Sequence, residues 1–237
     1  MIREHVGLAH WLWTDGYITY SQRIVGLCVP RSDEAELVAI DKWLKVSLKV
    51  QQAYLSLVSP GLFAQKATAL QADDIYSILY PVEGNLDISA NEQLIVDDIV
   101  DYYGDLVRLG ENSVAMCEGA GTALPAFADV YCSQLNEVYK SRPLVALEPY
   151  SWSGVVCQPF SFGAGVVDWQ NAEQLKGKVE SLLLQDSTAS LQMTRICRLY
   201  DGQFVFLMKP NRLRYWLRSI ALRDADETLA DLRAQGF

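Results

Sequence analysis

Apolar residues recur at helical spacing along a stretch of the N-terminal half. They are Leu37, Ile40, Leu44, Leu48, Ala53, Leu55 and Val58, and most charged and amide residues of this stretch fall at other positions. Ser32, Asp33 and Glu36 offer capping groups at its start. Ser59-Pro60-Gly61 ends it, because proline lacks an amide hydrogen and glycine permits a reversed backbone. The pattern predicts an amphipathic helix of about six turns, with Trp43, Leu44 and Leu48 on or near its buried face.

Three further elements are predicted in the N-terminal half. Aromatic and β-branched residues at 8–13 and 17–29, separated by Thr14-Asp15-Gly16, are typical of a β-hairpin. Ser89 and Glu92 form a capping-box pattern at the start of a helix that continues to about Leu109. A third helix spans 123–140. Pro143 follows this helix, and we expect a domain boundary near residue 141.

The pattern changes after residue 141. Strands are predicted at 144–147, 154–162, 191–200 and 203–208, and the last two form a hairpin across Asp201-Gly202. Helices are predicted at 171–184 and after Asn211. This order favours an α+β fold, in which a mainly helical domain at 1–141 precedes a small α+β domain with an antiparallel sheet at 142–237.

The order of elements from about residue 15 to 110 resembles a known family. The segments are ELVAIDKWLKVSLKVQQAYLSL, SPGLFAQK, ADDIYSILYP and DISANEQLIVDDIVDYYGDL. Together they resemble the C-terminal target-recognition region of DNA adenine methyltransferases from restriction-modification systems. The resemblance implies a recognition surface that faces DNA, beside the long helix. The initial hairpin would then be the remnant of a small sheet whose earlier strands lie upstream in that family.

The motifs of several enzyme classes are missing from the chain. The sequence contains no Asn/Asp-Pro-Pro-aromatic motif, no glycine-rich turn for a methyl donor and no Gly-x-Ser-x-Gly elbow. The five cysteines include no CxxC pair and are interpreted as buried structural thiols, while His5 and His10 are interpreted as packed or surface residues. We therefore expect a non-catalytic protein without a cofactor or a metal.

Charge is divided unevenly along the chain. Residues 1–141 hold nine Lys and Arg against nineteen Asp and Glu, whereas residues 142–237 hold eleven against ten. Four carboxylates are predicted on one face of the helix that follows Ser89. They form either a solvated surface, a docking patch for a basic protein partner or, least favoured, a set of metal ligands. The four residues are Asp97, Asp98, Asp101 and Asp105.

The fifteen residues from Lys209 to Arg223 contain five cations and no acidic residue. Arginine binds phosphate with two parallel hydrogen bonds, and an interleaved aromatic side chain can stack on a base or sugar. In the competing interpretation these arginines pair with Asp224, Asp226 and Glu227 beside a core-facing apolar side. The candidate DNA contacts are Lys66, Lys209, Arg212, Arg214, Tyr215, Arg218 and Arg223.

These patterns predict a non-catalytic target-recognition or accessory subunit of a DNA-modification or phage-defence system. Its expected partners are double-stranded DNA and a protein that carries the catalytic activity. Two alternatives remain open: an acidic protein-interaction adaptor that does not bind DNA, and a separated fragment of a larger methyltransferase. No run of eighteen apolar residues occurs, so we expect a cytoplasmic protein with no membrane partner.

Overall fold

The chain divides into two compact units, Met1–Val114 and Ala115–Phe237, which are described separately. The computed structural model describes residues 1–80, 86–152, 154–167 and 196–236. The boundary expected near residue 141 is wrong, because the helix that precedes it packs against the sheet and the last helix of the second unit. Among the described residues, no helix has both the length and the apolar character needed to cross a membrane.

The N-terminal unit is mainly helical. Its strands are β1 (Ile2–Arg3) and β2 (Ile24–Val25), and its helices are α1 (Glu34–Val58), α2 (Pro60–Phe63), α3 (Ala72–Tyr76), α4 (Ala90–Asp98) and α5 (Gly104–Leu109); α6 (Val114–Cys117) begins at the unit boundary. Strands β1 and β2 pair in antiparallel register, with Ile2 opposite Val25. A separate apolar core forms where β1, β2, α1, α2 and α3 meet.

Helix α1 confirms the predicted long helix. It ends at Ser59, whose hydroxyl accepts a hydrogen bond from the Leu62 amide and so opens α2. At the other end, Asp33 is the N-cap residue but makes no side-chain capping bond. Leu44 and Leu55 are buried as expected, and Trp43 and Leu48 pack against the same core while partly exposed. The helical spacing of apolar residues predicts the buried face less accurately toward the C-terminal end of α1, where Gln51 is buried and Val58 is exposed.

The hairpin expected across Thr14-Asp15-Gly16 is not formed. Strand pairing instead joins Ile2–Arg3 to Ile24–Val25, at the two ends of this segment. Leu8 is buried with a left-handed φ of 46°, which turns the chain, and Tyr17 is almost fully exposed. Burial of the short apolar ends in the core therefore outweighs the local β preference of the aromatic residues between them.

The helix that follows Ser89 is confirmed, with one change. The Ser89 hydroxyl accepts from the Glu92 amide and the Glu92 carboxylate accepts from the Ser89 amide, as a capping box requires. A π-helical turn, Ile99–Tyr103, separates α4 from α5. This extra residue in the turn shifts the helical register, so residues on either side of it do not share the face that a regular α-helix predicts.

The C-terminal unit is an antiparallel sheet covered by two helices. Its described elements are α7 (Leu124–Val138), β3 (Leu144–Ala146), β4 (Tyr150–Trp152), β5 (Val155–Phe162), β6 (Cys197–Asp201), β7 (Phe204–Pro210) and α8 (Arg218–Ala234). The strand order is β3-β5-β7-β6, and β4 pairs with the opposite end of β5 from β3. The predicted α+β fold is confirmed.

Two apolar clusters lie on the sheet. The larger one joins α7 and α8 to the sheet through Phe127, Tyr131, Phe160 and Trp216. The smaller one contains Val155, Cys157, Phe206 and Met208, which alternate in sequence with members of the first. The predicted β6–β7 hairpin is confirmed, with Gly202 in the left-handed region that its tight turn requires. The helix expected at 171–184 and the start of the strand expected at 191–200 lie outside the described residues.

The five cysteines do not share one environment. Cys157 is buried, and burial raises the pKa of both the Cys132 and Cys157 thiols to about 12. Cys28 and Cys117 are exposed, so the interpretation of all five as buried thiols is wrong for these two. Among the residues that the structure describes, no group of three potential ligands is close enough to hold a metal ion.

Candidate nucleic-acid interface

Lys209 lies at the end of β7 and points into the core. Its side chain is 0% exposed and forms an ion pair with the buried carboxylate of Asp224. The ammonium also donates to the Tyr215 carbonyl at 2.8 Å and lies 4.0 Å from the centre of the Phe127 ring. The prediction that Lys209 contacts DNA is therefore wrong, because a phosphate has no access to this ammonium.

Burial also changes the acid–base chemistry of Lys209. Removal from water disfavours the charged form and lowers the pKa of Lys209 to about 8, although the Asp224 carboxylate opposes this shift. The other Asp224 oxygen is 3.3 Å from the Arg223 guanidinium. The Lys209–Asp224 pair thus links β7 to α8 inside the core, and its role is structural.

Arg223 belongs to a network of ion pairs on α8. Its guanidinium lies 3.8 Å from the Glu227 carboxylate, in addition to its contact with Asp224. Arg198 of β6 binds the same Glu227 at 2.5 Å and Asp231 at 3.1 Å. The competing interpretation, in which the arginines pair with nearby acids, is confirmed for Arg223. This guanidinium is already engaged and contributes little new attraction for phosphate.

Hydrogen bonds hold the segment between β7 and α8 to the rest of the unit. We call this segment, residues 211–217, together with Arg218 at the start of α8, the arginine loop. The Asn211 amide donates to the Gly154 carbonyl at 2.7 Å, and its side-chain oxygen accepts from the Ala120 amide at 2.8 Å. The Leu213 amide donates to the Glu118 carbonyl at 2.8 Å, and the Trp216 indole donates to the Pro210 carbonyl at 3.0 Å. The loop backbone is therefore fixed by its surroundings.

Three arginines project from this fixed backbone. Arg212, Arg214 and Arg218 are each partly exposed, as is Tyr215. The Arg214 guanidinium stacks 4.5 Å from the centre of the Tyr215 ring and donates to its hydroxyl. Leu213 and Trp216, two of the four residues that separate the arginines, are buried. The alternation of buried apolar and partly exposed basic residues presents the cations on one short stretch of backbone.

The remaining predicted site residues lie in the N-terminal unit. Lys66 is exposed, and its φ of 53° places it in a left-handed turn after α2. Lys49 pairs with Asp97 at 2.7 Å, and Arg108 pairs with Asp105. Asp98 is buried, which corrects its placement on a solvated acidic face; the π-helical turn lies directly after it. The four carboxylates therefore do not form one uniform acidic surface.

The sequence reasoning missed the residues that position the arginine loop. Asn211 and Trp216 fix its backbone, and Asp224 draws Lys209 inward. The sequence contains a weak signal for the Lys209–Asp224 pair, because Asp224 directly follows a stretch of five cations and is placed to pair with one of them. It contains no signal for the hydrogen bonds of Asn211 with residues 120 and 154, because these bonds depend on how the sheet and the loops meet.

Comparisons of the chain with protein-family models, with curated proteins and with solved structures gave no match. The resemblance to the target-recognition region of adenine methyltransferases stays a prediction.

Proposed function

We propose that this chain is a non-catalytic DNA-contacting subunit whose arginine loop binds the phosphate backbone. The observation that carries the proposal is the combination of three partly exposed arginines with a loop backbone that is anchored at Asn211, Leu213 and Trp216. Backbone ordering is a major cost of binding for mobile basic segments. A pre-anchored loop avoids that cost, so each arginine retains more of its attraction for phosphate.

The local charge supports the same proposal. From Gly202 to Arg223 the chain contains no acidic residue, and the buried Asp224 is already neutralised by Lys209 and Arg223. The carboxylate that follows the arginine loop most closely in the sequence is therefore already paired with other cations. The chain as a whole carries a net charge of −9, which disfavours indiscriminate binding along DNA and restricts contact to this loop.

Phosphate contacts position a protein on DNA but do not read sequence. A subunit of this kind orients a catalytic partner, and we propose that it acts in the cytoplasm with the enzyme of a restriction-modification or phage-defence system. The sequence lacks methyl-donor and target-base motifs, and this supports a role in which the partner protein carries out the catalysis.

Fluorescence anisotropy with a labelled duplex tests the proposal. We expect replacement of Arg212, Arg214 and Arg218 by Gln to weaken binding at low salt by several kcal/mol. A matched control removes the same charge from exposed sites elsewhere, by Lys42→Gln, Lys140→Gln and Arg233→Gln. Equal weakening in both triple variants would mean that net charge, rather than the arginine loop, controls binding. If the wild-type chain binds no duplex, the protein-interaction adaptor takes the place of this proposal.

A further inference from the structure

The N-terminal unit contains a cleft of about 470 Å³ between the segment that follows β1 and the first half of α1. This volume is in the range of pockets that bind small organic molecules. Its walls include the indoles of Trp11 and Trp13 and the phenol of Tyr20, all partly or largely exposed. A side-chain carbon at Gly26 would meet the end of the Tyr20 side chain, so a larger residue there would shift the Tyr20 ring that lines the cleft.

Two polar side chains lie in this cleft with atoms that lack a hydrogen-bond partner. The His10 side chain is 9% exposed and that of Asp41 is 14% exposed, and both line the cleft. His10 Nε2 and Asp41 Oδ1 are buried atoms, and neither makes a hydrogen bond within the described chain. They are 3.9 Å apart, which is too long for a hydrogen bond between them.

In the neutral Nδ1–H tautomer of His10, both of these atoms are hydrogen-bond acceptors. His10 Nδ1 lies 2.9 Å from the Leu8 carbonyl oxygen, which can only accept, and this contact favours a hydrogen on Nδ1. Nε2 then presents a lone pair, as does Asp41 Oδ1. Two buried acceptors that face each other are costly unless a donor serves both. The second Asp41 oxygen is already bound by the exposed Lys45 ammonium at 2.6 Å.

We infer that the cleft is a binding site for a small organic molecule that carries an amino or amidino group on an aromatic or apolar body. Such a group supplies two N–H donors from one end, one to His10 Nε2 and one to Asp41 Oδ1, after a modest rotation of the carboxylate opens the gap. The indoles of Trp11 and Trp13 accept the flat body and stabilise the cation through their π faces. Glu34, Arg31 and the Met1 ammonium also line the cleft, so the preference for an amino or amidino group rests on its N–H donors rather than on a net negative charge of the lining.

Benzamidine is a suitable probe, because its amidinium presents paired N–H donors on a phenyl ring. We expect a titration followed by NMR to shift the ring signals of His10 with saturation at millimolar probe, and benzoate to leave them unchanged. The chain has only two histidines, so His5→Gln identifies the His10 signals. A flat benzamidine titration, or equal binding of benzoate, would overturn the inference.

Substitutions in and near the cleft test which residues contact benzamidine. Asp41→Asn keeps the shape of the side chain and is expected to weaken benzamidine binding at least tenfold, whereas Glu36→Gln, on the same helix but outside the cleft, is expected to leave it unchanged. Lys45→Gln removes the cation that competes for Asp41 and is expected to strengthen binding. Wild-type affinity in Asp41→Asn, or weaker binding in Lys45→Gln, would contradict the assignment. Circular dichroism of each variant verifies that α1 is intact.

Discussion

The buried ion pair of Lys209 and Asp224 is costly by itself. Transfer of two charges from water to an apolar interior costs several kcal/mol per ion, and mutual attraction returns only part of it. Here the ammonium gains further contacts from the Tyr215 carbonyl and from the faces of Phe127 and Trp216. These contacts also fix the direction in which the chain leaves β7. We infer that the pair specifies where the arginine loop begins.

Substitution of the pair tests this structural role. Lys209→Met alone leaves the Asp224 carboxylate buried with only Arg223 nearby, and we expect a loss of about 3 to 5 kcal/mol in unfolding free energy. The double variant Lys209→Met/Asp224→Leu removes both charges and is expected to recover most of that loss. Urea unfolding measures both values. A single variant as stable as the wild type would show that Lys209 is solvated.

The shifted pKa values predict an optimum in stability at mildly alkaline pH. The pKa of Lys209 is lowered from 10.5 to about 8, so the unfolded chain binds more protons between these values and the unfolding free energy rises with pH there. The thiols of Cys132 and Cys157 have pKa values raised from 9.0 to about 12, so their contribution is lost as pH rises above 9. We expect unfolding free energy to rise from about pH 8 to 9 and to fall above it.

The double variant Lys209→Met/Asp224→Leu supplies the control for this pH profile. It lacks the lysine, so its unfolding free energy should not rise between these pH values but should still fall at higher pH. Urea unfolding at several pH values measures both profiles. If the unfolding free energy of the double variant still rises between about pH 8 and 9, another titrating group causes the rise.

At the level of elements, α1 organises the N-terminal unit, since its apolar face carries much of that unit's core. Leu44→Ala removes a side chain that is 4% exposed, and we expect a loss of about 2 to 4 kcal/mol from the lost contacts and the cavity that remains. Val46, two residues away, is 78% exposed, so Val46→Ala is a matched control with an expected change below about 0.5 kcal/mol. Urea unfolding midpoints compare the two variants. Similar midpoints would mean that the buried face of α1 is misassigned.

The elements that the sequence predicts well are those with local signals. Helix α1, the Ser89–Glu92 capping box and the β6–β7 hairpin each depend on residues close together in the chain. The hairpin expected across Asp15-Gly16 failed because its aromatic residues had no partner strand in the core. The direction of Lys209 also could not be predicted, since it depends on Asp224 and on rings contributed by α7 and by the loop before α8.

At the level of the whole molecule, the observed boundary changes the charge division. Residues 1–114 contain eight Lys and Arg against sixteen Asp and Glu, and residues 115–237 contain twelve against thirteen. The N-terminal unit therefore remains strongly acidic, while the C-terminal unit is close to neutral and carries the arginine loop. Helix α7 belongs to the second unit because its apolar face, with Phe127, Tyr131 and Leu135, needs the sheet as a partner. Its sequence alone does not reveal which neighbour it covers.

The salt dependence of duplex binding tests the central proposal most directly. Each phosphate contact contributes a slope of about −0.9 to a plot of log affinity against log salt concentration. We expect replacement of Arg212, Arg214 and Arg218 by Gln to make this slope shallower by roughly 2 to 3 relative to the wild type. The control variant that lacks Lys42, Lys140 and Arg233 should keep the wild-type slope. An unchanged slope in the arginine variant, or no binding by the wild type at low salt, would contradict DNA contact by the arginine loop.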